Sequence, residues 1–108
     1  MLATRCDVAR NLLTRGFGLI PRAGLGTGEA LLLPGTSSIT MFFMRFSIDA
    51  VFLDRDWRVV RVAERIRPWT PVLAARRAVR VLELPAGTVA RTGTQAGDEL
   101  ITETAALR

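Results

Sequence analysis

Residues 38–61, SITMFFMRFSIDAVFLDRDWRVVR, hold most of the chain's aromatic residues and an acid, Asp49, set among apolar neighbours. Ile39 to Phe46 combines aromatics, methionines and a β-branched residue, which predicts a strand buried on both faces with Arg45 as its one charge. Ile48 to Leu53 predicts a second strand, with Ile48, Ala50 and Phe52 on one face and Asp49, Val51 and Leu53 on the other. Asp54-Arg55-Asp56 supplies a turn, and Trp57 to Arg67 returns as the hairpin partner. On that return strand Val60, Val62 and Ile66 fall on one side, and Arg61, Arg65 and Arg67 on the other. Trp57 and Val59 break the alternation, which predicts a bulge near Val59 or Val60.

Upstream, Glu29 to Leu33 reads as a short strand closed by a Pro34-Gly35 turn. The glycines of residues 22–28 (RAGLGTG) superficially suggest a dinucleotide loop, but no strand precedes them and no long helix follows. Before them, Leu12, Leu13 and Phe17 predict one face of a short helix that Gly16 and Gly18 curtail. Leu2 to Val8 alternates loosely. Downstream, Pro68-Trp69-Thr70-Pro71 opens an exposed loop, and Val72 to Ala78 predicts a helical turn carrying Arg76 and Arg77. Val79 to Leu84 is a strand stopped by Pro85. Ala86-Gly87-Thr88 turns into a brief helical segment to about Thr92. Gln95 to Asp98 makes a further turn before a last strand, Glu99 to Glu103. Many short strands between Gly/Pro turns indicate a single mainly-β domain, an antiparallel sandwich or barrel with short helical segments.

Composition removes whole classes of chemistry. The chain has no histidine and no lysine, so neither a Ser-His-Asp nor a Cys-His device nor a Schiff-base lysine is available. One cysteine excludes an internal disulfide and falls short of a zinc ligand set. No metal or cofactor is expected. Every one of the 15 basic residues is arginine and the net charge is +5, which suits an anionic partner. The same arginines also fit a plain compositional bias. They are spread along the chain without interleaved aromatic platforms, which argues against nucleic acid. No apolar run approaches the ~20 residues of a membrane span. The first residues place an acid and arginines where an export signal carries an apolar core, so a cytoplasmic location is expected.

The motif set FGL-x-x-R (Phe17, Gly18, Leu19, Arg22), LLLP, MRFSIDAVFLDRDWRVV, RPW (Arg67 to Trp69) and VLELPAGT…GD, in that order, resembles the uncharacterised family DUF192 over about residues 3–102. The resemblance implies a β-sandwich of jelly-roll type and no known activity. Relatives often carry His where this chain has Thr40, Cys where it has Gly35, and Gly where Trp57 closes the Asp54-Arg55-Asp56 turn.

Carboxylates are the remaining candidates for chemistry. Asp49 and Glu83 are flanked by apolar residues on predicted strands. Together they would serve as general acid and base in a hydrolase or sugar-modifying enzyme. Alternatively each is paired structurally, Arg45 being the expected partner of Asp49, because a lone buried carboxylate is costly. Asp54, Asp56 and Asp98 sit in turns, where Asp accepts local backbone bonds. The leading reading is a non-catalytic protein that binds a partner protein or small, anionic ligand through Arg61, Arg65, Arg67 and Trp69.

Overall fold

Three apolar runs build the centre of the molecule, which a computed structural model describes at residues 5–8, 29–42 and 44–100. The strands are β1 (Arg5–Val8), β2 (Glu29–Pro34), β3 (Ser38–Ile39), β4 (Ile48–Leu53), β5 (Val59–Ile66), β6 (Leu73–Ala74) and β7 (Arg80–Pro85), followed by helix α1 (Thr88–Thr92). A five-stranded sheet runs in the order β1-β2-β7-β4-β5, and β3 pairs with β6 as a separate ribbon. All pairs are antiparallel except β1 with β2. The sheet is therefore mixed, where an all-antiparallel one was expected. Parallel neighbours need a crossover of about a dozen residues or more, and the chain between Val8 and Glu29 is long enough to supply it.

β4 is buried at every residue because strands flank it in the plane and both faces are covered. On one face Leu31, Leu33, Ile48, Ala50, Phe52, Ile66 and Val81 pack with Ile39 of the ribbon and with Met41 and Met44. On the other, Ala30, Leu32, Val51, Leu53, Val59, Leu82 and Leu84 pack with Val89 of α1 and the half-buried Trp57, Val62 and Leu100. Burying a side chain such as Phe52 stabilises by about 1.5–3 kcal/mol, so the two layers together hold the sheet. No helix of the described residues is long and apolar enough to cross a membrane.

Two expectations are corrected. Only Ser38–Ile39 of the 39–46 run forms a strand. Met41 and Met44 instead bury from a turn closed by Met44 N–H to the Met41 carbonyl at 3.2 Å, which leaves Phe42 on the surface. The 72–78 segment is not helical: Leu73 and Ala74 pair with Ile39 and Ser38, and Arg76-Arg77 turn with Arg77 at φ 70°. Ladder bonds to β3 outcompete the weak local helix. The predicted helix around Leu12 to Phe17, the glycine loop at 22–28 and the end of the strand to Glu103 lie outside the described residues. Of that last strand, Glu99 bridges Arg58.

The hairpin of β4 and β5 forms, with the expected bulge at Val60 where Phe52 faces Arg61 but Leu53 faces Val59; Val60 and Ile66 pack on the Phe52 face but Val62 on the other, where all three were expected on one side. A second bulge escaped the sequence reading. Ile48 faces Ile66 while Ala50 faces Ala63, so one extra residue sits at Glu64-Arg65, with Arg65 at φ 49°. In the turn, Asp54 Oδ1 accepts N–H groups from Asp56 and Arg58, both at 2.9 Å. The bond from Arg58 is the main cause that lowers the Asp54 carboxyl from its ordinary pKa. Trp57 takes the left-handed conformation (φ 63°) where relatives often carry glycine, so the loop keeps that geometry at a steric cost of about 1–2 kcal/mol. Its ring lies 4.1 Å from the Arg80 guanidinium carbon, and Arg80 also donates to the Asp54 carbonyl at 2.7 Å.

Trp57→Gly relaxes the backbone but removes the stacked, half-buried indole. A net loss of about 1 kcal/mol in urea unfolding is expected, packing and cation–π terms together exceeding the strain relieved.

Candidate functional site

The second bulge decides where the arginines go. Arg61 faces Phe52 in register, lies with its guanidinium carbon 5.9 Å from that ring's centroid, and donates to the Ala74 carbonyl of β6. It therefore staples the sheet to the ribbon on the Phe52 face. Arg65 lies beyond the second bulge and reaches the opposite face, where its Nη2 is 3.4 Å from where a Cβ on Gly87 would sit. An extra residue in one strand moves everything after it to the other side. The expected row of Arg61, Arg65 and Arg67 is thus split, and these side chains do not form one surface.

Asp49 is wholly buried and faces Leu84, on the α1 side of the sheet. Its Oδ1 accepts the Arg65 N–H at 2.8 Å, and its Oδ2 accepts those of Gly87 at 3.1 Å and Val89 at 2.8 Å. The expected Arg45 partner is not used; Arg45 is exposed, and three backbone donors replace it. The bulge frees one of these N–H groups and the start of α1 supplies the others, groups that have no ladder or helical acceptor of their own. Thr88 Oγ1 beside them is sealed without a partner.

Glu83 is also buried, at 8% exposure, but faces Leu31 on one side and Ala50 on the other. Both neighbours belong to the Phe52 face. The two acids occupy adjacent strands and opposite faces of one sheet, so they share no pocket. Burial pushes the Glu83 carboxyl up to about 7. No group of three or more metal-ligating side chains occurs among the described residues.

A different pair was invisible in the sequence. Phe42 and Trp69, 44% and 56% exposed, meet edge to face with centroids 6.1 Å apart. Met41 pins their loops together: its N–H donates to the Thr70 carbonyl at 2.9 Å and its carbonyl accepts the Trp69 N–H at 2.8 Å. Trp69 sits at φ 70°, an outlier for a bulky residue that surrounding bonds must hold. Exposed arginines 45 and 67 lie in the same two loops, with exposed Val72 following. Thr40 is exposed and its Oγ1 accepts the Phe42 N–H at 3.3 Å. Gly35 has φ 68°, a conformation a cysteine would adopt only with strain.

The family model DUF192, "Uncharacterized ACR, COG1430", matches residues 2–102. Among relatives, a UPF0127 protein of Thermococcus sibiricus is 32% identical over 89% of this chain, and the match covers 64% of that protein's length. A UPF0127 protein of Pyrococcus abyssi is 33% identical over 89% of this chain and 84% of its own. Two crystal structures share the fold. A Novosphingobium aromaticivorans protein of unknown function has TM-score 0.79 and 28% identity, covering 87% of this chain and 71% of that one. A Sinorhizobium meliloti protein described as a candidate transcription regulator has TM-score 0.80 and 26% identity, covering 87% and 78%.

Two outcomes follow from the buried acids. Asp49→Asn presents its amide N–H₂ to a site built of donors and should cost about 2–4 kcal/mol in chemical denaturation, against little for Arg45→Ala. Glu83 binds its proton more tightly folded than unfolded. Its stabilising share is therefore fully present below pH about 4.5 and lost as pH rises through about 7. Glu83→Gln should flatten stability between pH 5 and 8 and be the more stable form at pH 8 by about 2–3 kcal/mol.

Proposed function

The chain belongs to the DUF192 family, and on that premise we propose that it is a non-catalytic β-sheet protein that binds an acidic, apolar-tipped segment of a partner protein through Phe42 and Trp69. The observation that carries this reading is the exposed aromatic pair on two loops cross-linked by Met41 backbone bonds. Aromatic side chains held rigid before binding lose little entropy when they bind, and Trp is favoured at the centre of binding energy. Arg45 and Arg67 flank the pair and select for acids. Arg67 and Trp69 thus keep the binding role expected of them, joined by Phe42, while Arg61 and Arg65 take structural positions. In this reading the sheet and the β3–β6 ribbon are the two layers of the sandwich that the family resemblance implies.

The carboxylate enzyme reading, a hydrolase or sugar-modifying activity, needs Asp49 and Glu83 around one substrate. Their placement on opposite faces and the threefold commitment of Asp49 leave it without geometry. A nucleic-acid role of the kind the Sinorhizobium meliloti description suggests asks for a continuous basic face. The division of Arg61 from Arg65 disfavours it.

The test is selection from a displayed peptide library biased toward acidic residues around Leu, Phe or Trp. Trp69→Ala should weaken the selected peptides by about 30-fold, about 2 kcal/mol, with circular dichroism unchanged. Arg67→Glu should weaken them less and remove the salt dependence. Equal binding by wild type and the Phe42→Ala/Trp69→Ala protein overturns the proposal.

A further inference from the structure

Trp69 lies on a loop that leaves the sheet at Ile66, the end of β5, and enters the ribbon at Leu73, the start of β6. At its tip this loop is held by Met41, whose N–H donates to the Thr70 carbonyl and whose carbonyl accepts the Trp69 N–H. At its base a side chain spans the two limbs. Arg61 of β5 donates to the Ala74 carbonyl of β6, 13 residues further along the chain.

Both ends of that span are prepared for it. The Ala75 N–H donates to the Ser37 carbonyl at 3.0 Å, so Ser37 and Ala75 form a hydrogen-bonded pair. The neighbouring pair, Ser38 with Ala74, therefore turns its backbone groups away from the seam of the ribbon. Ser38 is answered locally: its N–H donates to Thr36 Oγ1 at 3.3 Å, and its carbonyl accepts from the same hydroxyl at 2.9 Å. The Ala74 carbonyl is answered from across the fold, by Arg61. The guanidinium is steadied by the wholly buried Phe52, its carbon 5.9 Å from that ring's centroid. Ile39 and Leu73 pack the ribbon onto the sheet, and at its other end Thr36 N–H donates to the Val79 carbonyl at 3.2 Å. Those contacts seat the ribbon; the Arg61 bond sets the spacing between the two limbs of the Trp69 loop.

We propose that Arg61 is a positioning residue for the Phe42–Trp69 surface, clamping the base of the Trp69 loop so that the indole meets Phe42 edge to face before any partner arrives. The proposal rests on the binding reading given above for that surface. Closing a loop by a contact at its base removes conformations that binding would otherwise have to remove. Trp69 at φ 70° makes the closure matter, because a strained backbone persists only where its surroundings over-determine it. With its guanidinium engaged by Phe52 and Ala74, Arg61 acts through Trp69 and leaves contact with the partner's acids to Arg45 and Arg67.

The probe is a peptide selected on the wild-type protein whose binding is lost in Phe42→Ala/Trp69→Ala. It is titrated by calorimetry into Arg61→Met, which keeps an apolar stem on Phe52 but has no donor, and into Arg61→Lys, which restores one. Arg61→Met should bind about five- to tenfold more weakly, with a larger entropic penalty and with binding still salt-dependent, and Arg61→Lys should recover most of the loss. In the free protein, amide exchange at Met41 and Trp69 should be about tenfold faster in Arg61→Met while that of Val51 and Leu84 in the central strands is unchanged, a pattern that a general loss of stability does not produce. Equal affinity of wild type and Arg61→Met, no recovery in Arg61→Lys, or unchanged exchange at Met41 and Trp69 overturns the assignment alone. Finding no peptide that depends on Phe42 and Trp69 overturns the binding reading, and the assignment with it.

Discussion

The Asp49 carboxylate ties together parts of the chain that no ladder connects. It sits in the most buried strand, and its two oxygens take N–H groups from Arg65, Gly87 and Val89. The Val89 N–H would otherwise be stranded in the interior, and those of Arg65 and Gly87, left over by a bulge and by the start of a helix too short to cap itself, are part-buried. No side-chain cap is available at Gly87. Asp49 is therefore what allows β5 to kink and α1 to dock on the sheet, and it does so through backbone N–H groups. The N–H groups are strong partners because a hydrogen bond to a carboxylate is about twice as strong as one between neutral groups.

The kink it supports has consequences well away from it. One extra residue at Glu64-Arg65 exchanges the two sides of β5, so Arg61 goes to the ribbon and Arg65 to the helix side. A charged edge strand interrupted by two bulges is also poor at pairing with another sheet edge. The arginines that suggest a basic face in the linear chain thus become separate structural contacts. Surface character passes instead to the loops on either side of Met41, where Phe42 and Trp69 meet.

That loop surface and the Glu83 carboxyl share a physical logic. Both are costly: a tryptophan held at positive φ with its ring largely exposed, and a carboxyl buried in an apolar face of the sheet. Such features persist when surrounding structure holds them firmly, as the Met41 bonds and the paired strands do here. Membership of a family without an assigned activity gives no competing explanation for either.

The strands were legible because their signal is local. Unbroken apolar runs at β2, β4 and β7, the Asp54 turn, the first bulge and the Pro85 stop all follow from neighbouring residues. The exclusion of histidine and lysine chemistry needed only composition. The reading failed where two distant segments had to meet. Met41 to Met44 looked like strand because its residues are strand formers, yet the Thr70 and Trp69 backbone groups claim Met41. The second bulge leaves no trace in β5 itself, because its cause is an acid 16 residues earlier in the chain. Alternation places Asp49 and Glu83 each on some face of its own strand; only the register of β4 against β7 decides that the faces differ. Apolar periodicity and turn chemistry are properties of neighbouring residues, and the sequence by itself determined what they control. Pairing register and the partners of buried polar groups depend on contacts across the fold, and only the tertiary structure decided those.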